Sequence, residues 1–264
     1  MNAARHETVP EHSAANESLG LPAGIRACLF DLDGVLTQTA KVHAQAWKQM
    51  FDAYLEKHSQ ATGTNMQPFD AVDDYDLYVD GKPRQDGVRS FLEARHITLP
   101  EGSPTDPPNA ETVYGLGNRK DQIFLDLIHT HGVAAYEGSV RYIHAAREAR
   151  LKLAVVSASK NCTEVLRAAR LDGLFDAQVD GNVAEKRGLK GKPAPDTYLE
   201  AARMLATQPP AAAVFEDALA GVEAGRAGGF GIVIGIDRAG QATALRRHGA
   251  DVVVSDLAGL LDPR

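Results

Sequence analysis

Five short apolar runs, each ending in polar residues or glycine and separated by helical patterns, constrain the fold of this chain more than any other feature. The first, Ala27-Cys28-Leu29-Phe30, stops at Asp31-Leu32-Asp33-Gly34. The others are Leu153–Val156, Ala212–Phe215, Gly231–Ile236 and Val252–Val254. Runs that are continuously apolar, rather than alternating, belong to strands buried on both faces. Between them lie the helical stretches Val140–Arg150, Thr163–Ala169 and Asp196–Leu205. Strands alternating with helices predict an α/β fold, a Rossmann-like parallel sheet with helices on both faces.

The alternation is interrupted from about residue 41 to 135. Three helical segments, Val42–Leu55, Gly87–Ala94 and Lys120–His129, are joined there by polar loops such as Glu101 to Asn109. This predicts an inserted, mainly helical cap domain over 41–135, with the catalytic core formed by 23–40 and 136–264. Residues 1–22 are polar, lack the apolar segment of a signal peptide, and are expected to form a flexible tail. No run approaches the ~18 apolar residues of a membrane span, so no membrane partner is expected. The net charge of -7 argues against nucleic acid, which is bound through positive surfaces. It leaves room for a small phosphorylated substrate neutralised locally. Two cysteines, one of them Cys28 inside an apolar run, fit a reducing, cytoplasmic setting. A monomer is expected.

In open parallel sheets ligands bind beyond the carboxyl ends of the strands. Asp31 and Asp33 follow the first run, Ser157-Ala158-Ser159 the second, and Glu216-Asp217 the third. Lys192 sits in Gly191-Lys192-Pro193, just before a helical stretch. Taken singly these are weak signals: Asp-x-Asp is common in turns, Gly-Lys-Pro is commonly a turn with a solvated lysine, and Glu-Asp before a helix is commonly a cap. Together and in order they predict phosphoryl transfer. Carboxylates gathered at one point need a hard cation, and magnesium prefers oxygen ligands and keeps positions for phosphate oxygens. Asp31 can attack phosphorus. Asp33 can donate and later remove a proton. A hydroxyl at Ser157 and the charge of Lys192 can hold the transferring group.

These residues resemble the four motifs of the haloacid dehalogenase-like superfamily: Phe30 to Thr37, Ser157, Lys192 and Glu216-Asp217. The resemblance covers the core from about residue 25 onward. It implies Asp31 as nucleophile and Asp33 as general acid and base. It also implies magnesium on the Asp31 carboxylate, the Asp33 backbone carbonyl and Asp217, with Glu216 assisting. The dehalogenase branch itself has no use for a second aspartate or a metal.

Within the superfamily the sequence is similar to the β-phosphoglucomutase branch, through Thr39, His43, Trp47 and Lys48, through Ser157-Ala158-Ser159-Lys160-Asn161, and through Gly81-Lys82-Pro83-Arg84 in the cap. The resemblance implies an isomerase exchanging β-glucose 1-phosphate and glucose 6-phosphate through an aspartyl-phosphate and a glucose 1,6-bisphosphate. It implies substrate contacts at Thr39, His43, Trp47, Gly81, Ala158, Lys160 and Asn161, with Arg84 clamping the phosphate that is not transferred. Trp47 is expected to pack the cap helix, and His43 to relay closure near the hinge. Lys120 is a loosely aligned second cap charge. One departure is Asp80, where a lysine is frequent in that branch. The acidic run Asp70–Asp80 is expected to be solvated. A phosphatase acting on a small sugar phosphate would share every core residue, and a binding module that kept the fold would not need the full acidic set.

Overall fold

The structure, a computed structural model, describes residues 12–261. Six parallel strands form one sheet: β1 (Ala27–Phe30), β2 (Lys152–Val156), β3 (Ala177–Val179), β4 (Ala212–Glu216), β5 (Ile232–Ile236) and β6 (Val252–Val254), in the order β3-β2-β1-β4-β5-β6. β3 escapes the sequence pattern because it is only Ala-Gln-Val and lies at the sheet edge. Ten α-helices accompany the strands. They are α1 (His12–Glu17), α2 (Ala40–Thr62), α3 (Arg84–Ala94), α4 (Val113–His131), α5 (Glu137–Glu148), α6 (Cys162–Ala168), α7 (Gly181–Arg187), α8 (Asp196–Met204), α9 (Leu219–Ala227) and α10 (Ala242–His248).

The sheet is covered on both faces, as its apolar strands require. Along β1 the side chains alternate. Cys28 and Phe30 pack with Tyr142 of α5 and Val165 of α6. Ala27 and Leu29 pack with Tyr198 of α8 and Val222 of α9. Phe30 stands opposite Val155 of β2 and Phe215 of β4. One residue further, Asp31 is level with Val156 and Glu216, and its amide donates to the Phe215 carbonyl at 2.9 Å. The register of three strands therefore brings the first, second and fourth motifs to one edge.

The segment Asn16–Leu21 is anchored in the core, in contrast to the flexible tail expected over 1–22. Leu19 and Leu21 are buried in the core. The Asn16 amide donates to the carbonyls of Pro22, Ala23 and Ile25, and the Tyr142 hydroxyl donates to the Leu19 carbonyl at 2.9 Å. A polar sequence with two isolated leucines shows no periodicity, so this anchoring by a buried amide leaves no pattern to read. Residues 1–11 lie outside the described part.

The inserted segment has a core of its own, in which Phe51 of α2, Phe91 of α3 and Leu116 of α4 meet. The Phe51 and Phe91 rings lie 4.1 Å apart. Two connections join this segment to the sheet and run side by side: Gln38 donates to Ala134 at 2.8 Å and Tyr136 to Leu36 at 3.0 Å. Thr37 and Ala135 form an antiparallel bridge between them. Among the described residues no helix is long and apolar enough to cross a membrane.

Candidate active site

The centre of the site is a dry cluster of charges at the ends of β1 and β4. The Lys192 ammonium pairs with both Asp31 and Glu216, whose side chains are 10% and 0% exposed. Glu216 is further held by the Tyr198 hydroxyl at 3.2 Å and the Ala218 amide at 2.8 Å. The Asp217 carboxylate presses against the loop after β1. A Cβ on Gly34, which has φ +83°, would lie 1.6 Å from its Oδ2. Glycine is required there both for the left-handed backbone and for the close approach.

Asp31, Glu216 and Asp217 each offer a carboxylate oxygen within 4.8 Å of the others. Burial raises the Asp31 carboxyl well above its usual range; Lys192 opposes this, while Glu216 adds to it. Burial, then Asp80, Glu216 and Asp31, push Asp217 up likewise. Burial pulls Lys192 down, but Asp31 and Glu216 outweigh it and its pKa is raised. One ammonium thus faces three carboxylates. This all-oxygen donor set, with charge left uncompensated, fits a hard divalent cation.

Asp33 turns away from that cluster. Its carboxylate accepts from the Thr39 hydroxyl, which also bonds Thr37 at 2.7 Å. His43 Nε2 lies 3.4 Å from the same oxygen, an ion-pair distance at which the nitrogen still has no hydrogen-bond partner. On the other side of the ring, Nδ1 is 2.5 Å from the Lys120 ammonium. As an ammonium Lys120 is only a donor, and in that form Nδ1 accepts and Nε2 carries the proton that faces Asp33. Burial and then Lys120 lower the His43 pKa, which keeps the ring neutral. Burial would raise Asp33, yet His43, Thr39 and Lys120 together bring it below its ordinary value. Lys120 itself is pushed down to about 7, by burial first and Arg84 second.

The second motif and the cap complete the site. Ser157 is buried after β2; its amide donates to Val179 at 2.9 Å and its hydroxyl accepts from Ser159 at 3.1 Å. Lys160 pairs with Glu185 at 2.7 Å. Gly81 rests on the loop after Asp217, where a Cβ would lie 3.3 Å from that of Ala218. The cap is therefore closed over a cavity of about 930 Å³ lined by residues of both parts. Asp31, Asp33, His43, Trp47, Gly81, Arg84, Ser157, Ala158, Lys160, Lys192, Glu216 and Asp217 all line it. Thr39 and Asn161 do not. Thr39 is buried behind Asp33, and Asn161 bonds Asp121 of the cap. Trp47 stacks on Phe51, with centroids 5.3 Å apart, and one side of it faces the Lys120 ammonium at 5.2 Å.

Sequence reasoning missed three participants. Tyr198, six residues after Lys192, carries no motif. Asp121 follows Lys120 on α4 and reads as an ordinary helical charge. Asp80 was expected to be solvated with the rest of the run Asp70–Asp80, and Asp70 and Asp76 are indeed exposed. A single π-helical turn, Tyr75–Val79, instead brings Asp80 to the cavity wall. There burial, followed by Glu216, pushes its carboxyl up to about 7.

A parallel sheet whose strands deliver Asp31, Ser157 and Glu216-Asp217 to one charged pocket, roofed by an inserted helical domain, defines a class. The family model for haloacid dehalogenase-like hydrolases matches residues 25–229, and the chain belongs to that family of enzymes. Among its relatives, a β-phosphoglucomutase of Mycobacterium bovis is 56% identical over 246 residues, 92% of this chain and 94% of that protein. The β-phosphoglucomutase of Bacillus subtilis is 30% identical over 89% of this chain and 92% of its own. A solved β-phosphoglucomutase from Clostridium difficile shares the fold, with a TM-score of 0.70, 23% identity and coverage of 89% and 93%.

Proposed function

We propose that this chain interconverts β-D-glucose 1-phosphate and glucose 6-phosphate in the cytoplasm, as a phosphomutase that carries phosphate on Asp31. One observation carries the proposal. Ser157 and Lys192 at the strand ends and Arg84 on the cap line one and the same cavity, which supports a reading with two phosphate seats. Similarity of 56% to a β-phosphoglucomutase over nearly the whole chain supports it.

The residues divide the work as follows. With phosphate on Asp31, a sugar hydroxyl oxygen attacks phosphorus while Asp33 takes its proton. The Asp31–phosphorus bond breaks and frees the carboxylate. The resulting glucose 1,6-bisphosphate turns end for end. An Asp31 oxygen then attacks the other phosphorus, and Asp33 returns the proton to the departing sugar oxygen. Ser157 and Lys192 hold the transferring oxygens in each direction, and Arg84 grips the other phosphate. The Asp31 and Asp217 carboxylates and the Asp33 carbonyl, with Glu216 assisting, would hold magnesium, whose positive charge would reduce repulsion between nucleophile and phosphate.

Asp33 is held by Thr39 and faces His43 at the hinge end of α2, away from the acidic cluster. That arrangement suits a base used only after sugar binds, since a base always poised at Asp31 would activate water as well. The test is product identification from β-glucose 1-phosphate with and without added glucose 1,6-bisphosphate. Glucose 6-phosphate, formed faster with the bisphosphate, is expected. Free phosphate as the main product would replace the mutase by a phosphatase.

A further inference from the structure

We infer that Asp121 is an internal competitor for the seat of the non-transferring phosphate, and so determines which ligands the closed cavity accepts. The inference rests on the assignment of that seat to Arg84 made above and extends it to Asn161, which bonds the same carboxylate. A single oxygen, Oδ1 of Asp121, accepts from the Asn161 amide of the core at 2.8 Å and lies 3.1 Å from Nη2 of Arg84 on the cap. These two groups come from different parts of the chain, Asn161 from the core after β2 and Arg84 from the cap at the start of α3. Asp121, on α4, sits between them.

A carboxylate that merely oriented Arg84 would need contact with Arg84 alone. Arg84 already has such an anchor, since Nη1 donates to the Gly117 carbonyl at 3.3 Å. Asp121 instead joins the pair of donors that a bound phosphate would join. It does so with an anion that is only partly covered: its side chain is 26% exposed, against 14% for Arg84. Its negative charge also satisfies Arg84, whose pKa burial lowers.

The consequence is a threshold. A phosphate monoester carries up to two negative charges and three accepting oxygens, against one charge and two oxygens for a carboxylate. It can displace Asp121 and retain both donors. A sugar with only a hydroxyl at that end cannot, and must leave Arg84 and Asn161 with their internal partner. Because the seat is occupied in the closed unliganded form, the apparent affinity of every phosphate ligand is reduced by the fraction of time that Asp121 holds it.

The experiment is calorimetric titration of glucose 6-phosphate, and of glucose as the control, into the full chain carrying Asp31→Asn, which prevents transfer. Adding Asp121→Asn should tighten glucose 6-phosphate binding about three- to tenfold, the range expected for removing a partly exposed charged competitor. Glucose binding should not change. The gain should vanish when Arg84→Ala is also present, as a double-mutant cycle requires of groups that share one ligand. Asp121→Ser carries the same expectation if the asparagine variant melts early. Unchanged or weaker glucose 6-phosphate binding in both variants, with Arg84→Ala still weakening it, would overturn the inference and leave the seat in place. If Arg84→Ala has no effect, the seat itself is wrongly assigned and the inference falls with it.

Discussion

The two ends of the cavity hold charge in opposite ways. At the strand ends, Lys192, Asp31 and Glu216 are locked in a nearly solvent-free network braced by Tyr198 and backbone amides. At the cap, Arg84, Asp121 and Asn161 meet across a gap between two parts of the chain and remain partly exposed. The first arrangement lies wholly within the core, where the register of β1 against β4 sets Asp31 beside Glu216. In the second, Arg84 and Asp121 both belong to the cap, and only the contact to Asn161 requires the cap to be down. A mutase needs both, because the core end must be rigid for bond-making and the cap end must release a bisphosphate that turns around.

The comparison breaks most decisively at the nucleophile. Asp31→Asn keeps the shape but removes the attacking charge, and phosphoryl transfer should fall by about 10⁴-fold or more while the fold persists. A thermal midpoint equal to or above that of the parent, together with lost turnover, is the expected pair of results. Lys192→Ala tests the dry network itself. It leaves Asp31 and the fully buried Glu216 facing each other without their counter-charge, and should cost about 3–5 kcal/mol in metal-free denaturant unfolding. A loss of under about 1 kcal/mol would show that the cluster is less tightly closed than its geometry indicates.

At the other end the effects should be smaller and selective. Arg84→Ala should lower mutase turnover about a hundredfold, while hydrolysis of a small generic phosphate ester changes by less than about threefold. Equal losses on both would erase the division between the two ends. The smallest effect concerns Lys120, whose pKa falls from 10.5 to about 7 on folding. Between these values the unfolded chain binds the extra proton, so this group makes stability rise with pH across that window. Its full penalty applies below about pH 7. Lys120→Met should therefore stabilise most under acidic to neutral conditions, and the gain should shrink by at most about 1.4 kcal/mol per pH unit towards pH 10. A gain independent of pH would mean that Lys120 stays charged throughout.

How much of this was legible beforehand follows the same division. Asp31, Ser157, Lys192 and Glu216-Asp217 could be found because each follows an apolar run or a turn signal, and the carboxyl edge of a parallel sheet collects such positions by construction. The tyrosine bracing Glu216, the turn that brings Asp80 inward, and the bridge through Asp121 left no comparable mark. Helical charges look alike whether they face water or a cavity, because the helical period says which residues share a face and not what that face meets.

By itself the sequence determined a parallel α/β core with a helical insertion and the set of groups able to perform phosphoryl transfer. Local apolar patterning dictates strands, and strand ends dictate where polar residues gather. Only the tertiary structure decided that the segment from Asn16 to Leu21 belongs to the core, that Asp33 is held by Thr39 and faces His43 away from the acidic cluster, and that one cap carboxylate spans the cleft. These are contacts between residues up to 123 positions apart. They are fixed by how elements distant in sequence fit together, within the core and between core and cap, and no local pattern encodes that fit.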